Sequence, residues 1–397
     1  MNDTIAKGAL SGLKILDCTR LLPGGFCTQI LADMGAEVIK IEEPTKGDYN
    51  RSFPPLNKEE SGSFLLLNRN KKSVTLNFKS ETGKDVFKRM AMDADIVVEG
   101  FRPGVMDRLG LGYDVLKEIN PRIIYCAISG YGQTGPYRTV AGHDLNYMAY
   151  AGTLRLFGNA GAAPIVPGLS IADVGGGSLM AATGILAAVI SRSTSGRGQF
   201  VDISMTDGAF SWLSYHGADW LFDGTNPRGG ERPFIGQAPC YNVYQCKDDA
   251  FIALGIIEPH FWETFCNKVN LPELIKQQWP TGHDAEEQFK KLDQLFKTKS
   301  RDEWVSYLET VDIPFSPVNE VDEAFNDPQL QARDMILEVD HPVEGTIPQL
   351  GFPIKLSETP CEIRLPPPLL GEHTKEELEK IGYDAVEVHR QSKTKTT

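Results

Sequence analysis

Residues 10–42 read LSGLKILDCTRLLPGGFCTQILADMGAEVIKIE, and this stretch decides the fold class. The apolar runs at residues 13–17 and 37–41 each predict a strand. Between them, residues 25–34 have a helical pattern that follows the turn signal Pro23-Gly24-Gly25. A strand, a helix and a second strand in this order form a βαβ unit, so the two strands are expected to lie parallel in one sheet.

The same alternation continues through the first half of the chain. Further strands are predicted at residues 74–77, 95–99, 122–129 and 199–204, with helices at 82–92, 113–119 and 178–192. After Trp220 the run DGTNPRGGERPFIGQAP (223–239) is typical of a linker. We therefore predict an α/β protein with a large domain over residues 1–222, a smaller α+β domain with its linkers over 223–335, and a return to the large domain over 336–397.

Composition excludes several classes of partner. The 397-residue chain has a formal net charge of −13 and a pI of about 5.1, whereas nucleic acids and anionic membranes bind basic faces. Its seven cysteines include no Cys-x-x-Cys pair, so neither a disulfide framework nor a zinc site is expected. The polar N-terminus lacks a signal peptide's apolar core, and the apolar stretch 179–190 is too short for a bilayer, which favours the cytoplasm.

A literal G-x-G-x-x-G at Gly130, Gly132 and Gly135 follows a predicted strand. The dinucleotide fingerprint also requires a helix directly after the last glycine. Here Pro136 follows, and no helical pattern starts before about Leu145. The motif is therefore interpreted as a turn at a strand end, and NAD is not expected as a cofactor.

Two basic segments could bind an anionic ligand. Residues 98–110 leave a buried strand and enter a glycine-bounded turn that carries Arg102 and Arg108. Guanidinium groups match phosphate oxygens, so these arginines could hold a diphosphate, although a solvated helix start explains the pattern equally well. Lys72 belongs to a second basic cluster, over residues 68–72, for which an ordinary charged surface is the alternative.

His143 is the candidate acid or base. It follows Gly142, precedes Asp144, and stands where a loop enters a predicted helix. Histidine changes its charge between about pH 5 and 8, which suits proton transfer near neutrality. Asp144 has a simpler interpretation as the cap of that helix.

Asp173 precedes a triplet of glycines, Gly175, Gly176 and Gly177, that leads into the apolar helix. Such glycines let a ligand approach the backbone, and a helix N-terminus would stabilise an oxyanion. An aspartate beside that site could act as a base or a nucleophile. The alternative is a capping aspartate followed by a flexible loop.

Glu258 stands directly before Pro259, at the predicted start of a helix in the smaller domain. A carboxylate there interacts favourably with the helix dipole, and this structural role is the default interpretation.

These motifs, in this order, resemble the family III CoA-transferase (CaiB/BaiF) and α-methylacyl-CoA racemase superfamily. The matching segments are residues 10–17, 31–42, 99–112, 129–147, the glycine loop after Asp173, 194–208 and 366–374, and the resemblance spans roughly residues 10–383. It implies a Rossmann-like large domain, a smaller domain and an interlocked homodimer. It also implies that coenzyme A enters as part of the thioester substrate, with no permanently bound cofactor.

The branches of the superfamily differ at these motifs. In the transferases the aspartate matching Asp173 is a nucleophile that forms an acyl anhydride and then an aspartyl-CoA thioester. The racemase-like pattern combines Gly-His-Asp-x-Asn-Tyr, Asp-x-Gly-Gly-Gly and Ile-Glu-Pro, and this chain has all three. One departure is Glu43, where many racemases carry an arginine beside the coenzyme, and this puts one adenine-side contact in doubt.

We therefore predict a racemase that inverts C2 of 2-methyl-branched acyl-CoA thioesters, with a CoA-transferase as the alternative. A non-catalytic acyl-CoA binder would leave the pair His143 and Asp173 without a task. The two proton transfers are assigned to His143, oriented by Asp144 or Glu258, and to Asp173. The helix start at the glycine triplet is expected to bind the oxyanion. The other expected ligand contacts are Arg102, Arg108, Gly100, Gly142, Lys72, Tyr147 and Asp207.

Overall fold

The computed structural model describes residues 8–393, so most of the polar N-terminal segment used above lies outside the described residues. Within this range the chain forms two compact units. The first contains the described residues up to Ala151, Leu169–Ser211 and the chain from Gln329 onward. The second contains Gly152–Gly168 and Trp212–Pro328.

A parallel sheet organises the first unit. Its strands are β1 (Lys14–Cys18), β2 (Glu37–Glu42), β3 (Lys71–Thr75), β4 (Ile96–Glu99), β5 (Ile124–Ser129) and β6 (Phe200–Ser204). They lie in the order β3-β2-β1-β4-β5-β6, and Leu16 of β1 is in register with Ile39 on one side and Val97 on the other. This order is that of a Rossmann sheet, so the predicted α/β, Rossmann-like fold is confirmed.

The helices of this part of the chain are α1 (Leu21–Asp33), α2 (Gly62–Leu67), α3 (Glu81–Met92), α4 (Val105–Arg108), α5 (Tyr113–Ile119), α6 (Asp144–Tyr150), α7 (Met180–Ser195) and α8 (Met205–Ser211). The helices predicted at 82–92 and 113–119 begin within one residue of their predicted starts, whereas α2, α4 and α8 were not predicted. α1 begins at Leu21, four residues before its predicted start, and it ends within one residue of its predicted end. Pro23 lies inside the first turn, where a missing N–H leaves no helical hydrogen bond unmade, so it does not form the predicted turn.

The apolar helix is longer than predicted. A π-helical segment, Ala172–Leu179, runs without a break into α7, so the helix begins six residues before the predicted start at 178. The glycine triplet is therefore part of the helix, where it packs against α8. A Cβ on Gly176 would lie 2.5 Å from the carbonyl oxygen of Met205, so only glycine permits this approach.

The length of this helix corrects one expectation about membranes. At 24 residues, Ala172–Ser195 is long and apolar enough to cross a bilayer, so the prediction that the stretch is too short is wrong. Length and composition are weak evidence by themselves, since the core helices of soluble proteins share both properties. The helix packs against α1 and α8, and the chain has the organisation of a soluble α/β protein.

The second unit has its own antiparallel sheet and its own core. Its elements are α9 (Gly217–Asp223), β7 (Tyr241–Gln245), β8 (Phe251–Gly255), α10 (Pro259–Lys268), α11 (His283–Phe296), α12 (Arg301–Leu308), β9 (Phe315–Pro317) and α13 (Val321–Phe325). The strands lie in the order β7-β8-β9. Trp262, Phe265, Phe296 and Trp304 are completely or almost completely buried between the sheet and the helices.

The chain returns to the first unit through α14 (Pro328–Ala332). A hairpin of β10 (Ile336–His341) and β11 (Gly345–Leu350) follows, and then α15 (Thr374–Lys380) and α16 (Ala385–Lys393). The hairpin turn carries Glu344, whose carboxylate accepts hydrogen bonds from the backbone N–H groups of residues 58–60 at 2.7–3.1 Å. These bonds fix the loop before α2.

Buried ion pairs support the loop that joins β1 to α1. Lys40 is completely buried and contacts Asp48 at 2.8 Å, and its ammonium also donates to the Thr19 carbonyl at 3.0 Å. Asp48 in turn accepts from the backbone N–H of Leu21 at 3.0 Å. Charges inside a core are tolerated when they are paired and hydrogen-bonded, and here the pair fixes a loop.

Candidate active site

A cavity of about 700 Å³ lies in the first unit beyond the carboxyl ends of β1, β4 and β5. Its lining includes Arg20, Gly100 and Gly130, which follow these three strands within two residues. The strand order reverses between β1 and β4, and ligands of open parallel sheets bind at such switch points. The remaining lining comes mainly from the start of α1, from the loop after β4, and from the loop and first turn of α6, and the helix at Ala172 contributes Asp173.

The start of α6 brings His143 into the cavity lining. The backbone N–H of His143 donates to Oδ1 of Asn146 at 3.1 Å, and its carbonyl accepts from the N–H of Asn146 at 2.8 Å. The hydroxyl of the buried Tyr147 donates to the carbonyl of Gly142, which fixes the residue before His143. The predicted residues Gly142, His143 and Tyr147 are thus held together by the first turn of one helix.

Asp173 lies in the first turn of the apolar helix and lines the same cavity. Its backbone N–H donates to Oδ1 of Asp144 at 2.9 Å, which links the starts of the two helices. Burial, with a smaller contribution from the charge of Asp144, raises the pKa of Asp173 to about 7. A carboxyl group with such a pKa can accept or donate a proton near neutral pH.

Two arginines in the lining have no acidic partner. The guanidinium groups of Arg102 and Arg138 make no hydrogen bond or ion pair with the described residues, and Asp173 is the single carboxylate among the described residues that line the cavity. Arg20 is different, because it donates to the Tyr49 hydroxyl at 2.9 Å and lies over the Phe101 ring. Unpaired guanidinium groups in so acidic a chain leave the cavity able to bind phosphate.

Two of the predicted basic contacts lie elsewhere. Arg108, at the end of α4, is exposed and lies outside the described cavity lining, so the structure does not support its predicted contact beside Arg102. Lys72 on β3 contacts Glu37 and Glu377, both at 2.8 Å. Its charge is already neutralised, so the structure does not support its predicted contact with the coenzyme. The basic run in the sequence does not reveal these carboxylates, because Glu377 comes from the C-terminal part of the chain.

The glycine triplet does not form the predicted oxyanion site. Gly175, Gly176 and Gly177 are buried inside the helix and do not line the cavity. The prediction placed the helix start after the glycines, whereas the helix already begins at Ala172. The three residues therefore serve helix packing.

Asp207 and Glu258 also lie outside the described cavity lining. Asp207 is on α8, is exposed, and donates its backbone N–H to the Ser204 hydroxyl at 3.0 Å, so its predicted contact with the substrate path finds no support. Glu258 belongs to the second unit, where it is the exposed residue before α10. Its role toward His143 stays a prediction.

Ser129, Tyr131 and Arg138 are among the polar residues of the cavity that the sequence analysis missed. The first two stand at the carboxyl end of a correctly predicted strand, β5, and the rule that ligands collect at such ends could have found them. Arg138 lies on an irregular loop between β5 and α6, and no sequence pattern marks it.

Comparisons with known proteins agree with this architecture. The sequence model of the family described as CoA-transferase family III matches residues 10–374 of this chain. A Fusarium pseudograminearum protein named acyl-CoA transferase is 40% identical, over 96% of this chain and 86% of that protein. Human alpha-methylacyl-CoA racemase is 32% identical, over 96% of both chains. The crystal structure of a CaiB/BaiF family protein from Brucella suis superposes with a TM-score of 0.83 at 30% identity, over 94% of this chain and all of that one. The chain is therefore an enzyme of CoA-transferase family III, the family whose members include racemases and CoA-transferases.

Proposed function

We propose that this enzyme is a racemase that inverts C2 of 2-methyl-branched acyl-CoA thioesters by removing the α-proton from one face and returning a proton to the other. The observation that carries the proposal is the presence of His143 and Asp173 in one cavity. A racemase needs two groups that exchange protons with the same carbon atom. The similarity to human alpha-methylacyl-CoA racemase supports the same choice.

In each direction one of the two groups acts as the base and the other as the acid. The base takes the α-proton, the C–H electron pair forms a C=C bond, and the carbonyl electron pair moves onto the thioester oxygen. The second group then delivers its proton to the other face of C2, and the carbonyl re-forms. Asp173 suits both roles, because a pKa of about 7 keeps both of its protonation states populated near neutral pH.

Arg102 and Arg138 are proposed to bind the phosphate groups of coenzyme A. Both line the cavity without an acidic partner, and charge-assisted pairs with phosphate are among the stronger hydrogen bonds. Gly100 and Gly142, which also line the cavity, let the ligand approach the backbone. Coenzyme A arrives with the substrate and leaves with the product, so no permanently bound cofactor is proposed.

Three further points belong to the same proposal. Asp144 is proposed to orient His143, with Glu258 as the alternative.

The enzyme is proposed to be an interlocked homodimer, about twice the chain mass of 43.8 kDa, and a monomer in sedimentation at micromolar concentration would contradict this. The cytoplasm is the proposed compartment, because all seven cysteines are unpaired and a reducing compartment keeps them so.

A family III CoA-transferase is the second candidate, and one observation favours it. The Fusarium protein named acyl-CoA transferase is 40% identical to this chain, compared with 32% for the human racemase. In that reaction the Asp173 carboxylate would attack the thioester carbonyl and expel the CoA thiolate. The thiolate would then attack the aspartyl carbonyl of the anhydride, which releases the original acyl group as a free carboxylate and leaves an aspartyl-CoA thioester. This route gives His143 no necessary task, which is why we place it second.

The two functions are separated by incubating the enzyme with (2R)-2-methylbutanoyl-CoA in D₂O, with and without an acceptor carboxylic acid. The racemase proposal predicts that the 2S isomer accumulates and that deuterium enters C2 whether or not the acid is present. Deuterium incorporation is measured by mass spectrometry after hydrolysis of the thioester. Transfer of CoA to the acid, without deuterium at C2 and with an adduct on Asp173, would overturn the proposal.

A further inference from the structure

Two hydroxyl groups in the cavity have no task in the proton transfers described above. Among the described residues, several buried side-chain polar atoms have no hydrogen-bond partner, and two of them belong to residues that line the cavity: Oγ of Ser129 and the hydroxyl of Tyr131. Ser129 is only 7% exposed. An unpaired buried hydroxyl is unfavourable, so two of them in one ligand cavity point to a ligand atom that pairs with them.

The backbone between the two residues is fixed. The carbonyl of Gly130 accepts hydrogen bonds from the backbone N–H of Thr206 at 3.0 Å and from its hydroxyl at 2.7 Å. The Tyr131 ring is held by edge-to-face contacts with Tyr147 and Tyr150, whose ring centroids are 5.3 and 5.4 Å away. Donors that are already fixed need no reordering when charge develops on a ligand.

The hydroxyl of Tyr131 lies close to the proposed proton-transfer residues. A Cβ on Gly142, the residue before His143, would come 2.8 Å from this oxygen. Burial, with a smaller contribution from Tyr150, raises the pKa of Tyr131, so the phenol keeps its proton at neutral pH and remains a donor. The nearby Tyr147 cannot serve in the same way without losing its bond to the Gly142 carbonyl.

We propose that the hydroxyl groups of Ser129 and Tyr131 form the subsite for the thioester carbonyl and donate hydrogen bonds to its oxygen. This inference rests on the proposed function, because the negative charge in question is that of the enolate formed when the α-proton leaves. The two hydroxyl groups keep their own protons and stabilise the oxygen as charge collects on it. They take the place of the glycine N–H groups that the sequence suggested.

The test uses Tyr131→Phe and Ser129→Ala, with Tyr150→Phe as the matched control. Tyr150 belongs to the same ring cluster, but it is exposed and does not line the cavity, so this control removes the same atom from a neighbouring ring. The full-length variants are mixed with 2-methylbutanoyl-CoA that carries ¹³C at the thioester carbonyl. Isotope-edited infrared spectroscopy records the carbonyl frequency on binding, and the rate of deuterium entry at C2 is measured in D₂O.

We expect binding to the wild-type enzyme to lower the carbonyl frequency, and Tyr131→Phe to lose part of that shift. The same variant should lower kcat for exchange on the order of 10²-fold, the usual effect of removing one donor to an oxyanion, with a much smaller change in KM. Ser129→Ala should change both readouts in the same direction, whereas Tyr150→Phe should match the wild type. Because Tyr131→Phe keeps the ring, its packing is conserved.

The subsite proposal would be overturned if Tyr131→Phe and Ser129→Ala both showed the same carbonyl frequency shift and the same exchange rate as the wild-type enzyme. The failure of the proposed function would look different. In that case the wild-type enzyme itself would exchange no α-proton, while a carbonyl shift that depends on Tyr131 would still support a subsite for the thioester oxygen.

Discussion

Two groups of charged side chains in the first unit differ in how they are paired. Lys40 and Lys71 are completely buried, and they contact the carboxylates of Asp48 at 2.8 Å and Asp17 at 3.3 Å. Lys71 also donates to a carbonyl oxygen and to an amide oxygen, both at 2.9 Å. Every charge in this group has a protein partner, whereas the guanidinium groups of Arg102 and Arg138, which line the cavity, have none among the described residues.

The difference shows how to separate structural from ligand-binding charges in this chain. Asp17 keeps a lowered pKa although its burial favours the neutral acid, because Lys40 and Lys71 lie beside it. Such a cluster stabilises the loop after β1. The guanidinium groups of Arg102 and Arg138 have no hydrogen-bond or ion-pair partner among the described residues, so their charges remain available for an anionic ligand. A substitution in the buried lysine and aspartate group should therefore lower the stability of the fold, whereas a substitution of Arg102 or Arg138 should weaken ligand binding.

The largest effect is expected from Asp17→Ala. The substitution leaves Lys71 buried without its carboxylate and removes an acceptor from the hydroxyl groups of Thr19 and Thr28. Removing one partner of a buried pair typically costs about 3–5 kcal/mol, and we expect the free energy of unfolding in urea to fall by that amount. Arg102→Ala is the control and should change it by less than about 0.5 kcal/mol. Similar losses in the two variants would contradict the distinction.

The next effect is on ligand affinity. Arg102→Ala and Arg138→Ala should each weaken the binding of coenzyme A by about 1.5–3 kcal/mol, the usual contribution of a hydrogen bond to a charged group. Calorimetry with coenzyme A and with a pantetheine thioester that lacks the nucleotide measures this, and the loss should be confined to coenzyme A. Arg108→Ala and Lys72→Met are controls that should bind normally. Equal losses for the two ligands would place the phosphates elsewhere.

The smallest effect concerns the pH dependence of stability. The pKa of Asp173 rises from an ordinary 3.8 to about 7, so between about pH 4 and 7 the folded chain binds more protons than the unfolded one. Asp173 therefore makes the folded state less stable as pH increases through this window. Asp173→Asn removes that dependence, and its stability relative to wild type should rise by at most about 1.4 kcal/mol per pH unit. Unfolding in urea at pH 5 and pH 7 measures this. If the difference in unfolding free energy between Asp173→Asn and wild type were the same at the two pH values, the raised pKa of Asp173 would be contradicted.

The sequence predicted the sheet well because its strands are short apolar runs bounded by turns. The strand at 37–41 lies within one residue of its predicted bounds, and the helix at Tyr113–Ile119 matches. The strand predicted at 74–77 lies at Lys71–Thr75 instead. Its first residues are lysines, whose burial depends on carboxylates that are distant in the sequence, so no local pattern shows that they belong to a strand.

The cavity was predicted less evenly. His143 and Asp173 could be found because glycines mark the loops around them, and the two residues do line one cavity. The glycine triplet was misplaced because glycine suits both a free loop and a close helix crossing, and only the position of α8 decides between them. Ser129 and Tyr131 carry no local signal beyond their place after a strand. The roles of these residues depend on contacts between distant parts of the chain, which the local sequence pattern does not show.

The central claim is that His143 and Asp173 exchange protons with the same carbon from two faces. The most direct test measures deuterium entry at C2 of each enantiomer of 2-methylbutanoyl-CoA in D₂O, for wild type, His143→Ala and Asp173→Ala. We expect each variant to lose racemisation by about 10²–10⁴-fold. Each should still exchange the α-proton of one enantiomer, and the two variants should select opposite enantiomers. A His143→Ala enzyme that racemises at the wild-type rate, or variants that exchange the same enantiomer, would contradict the account.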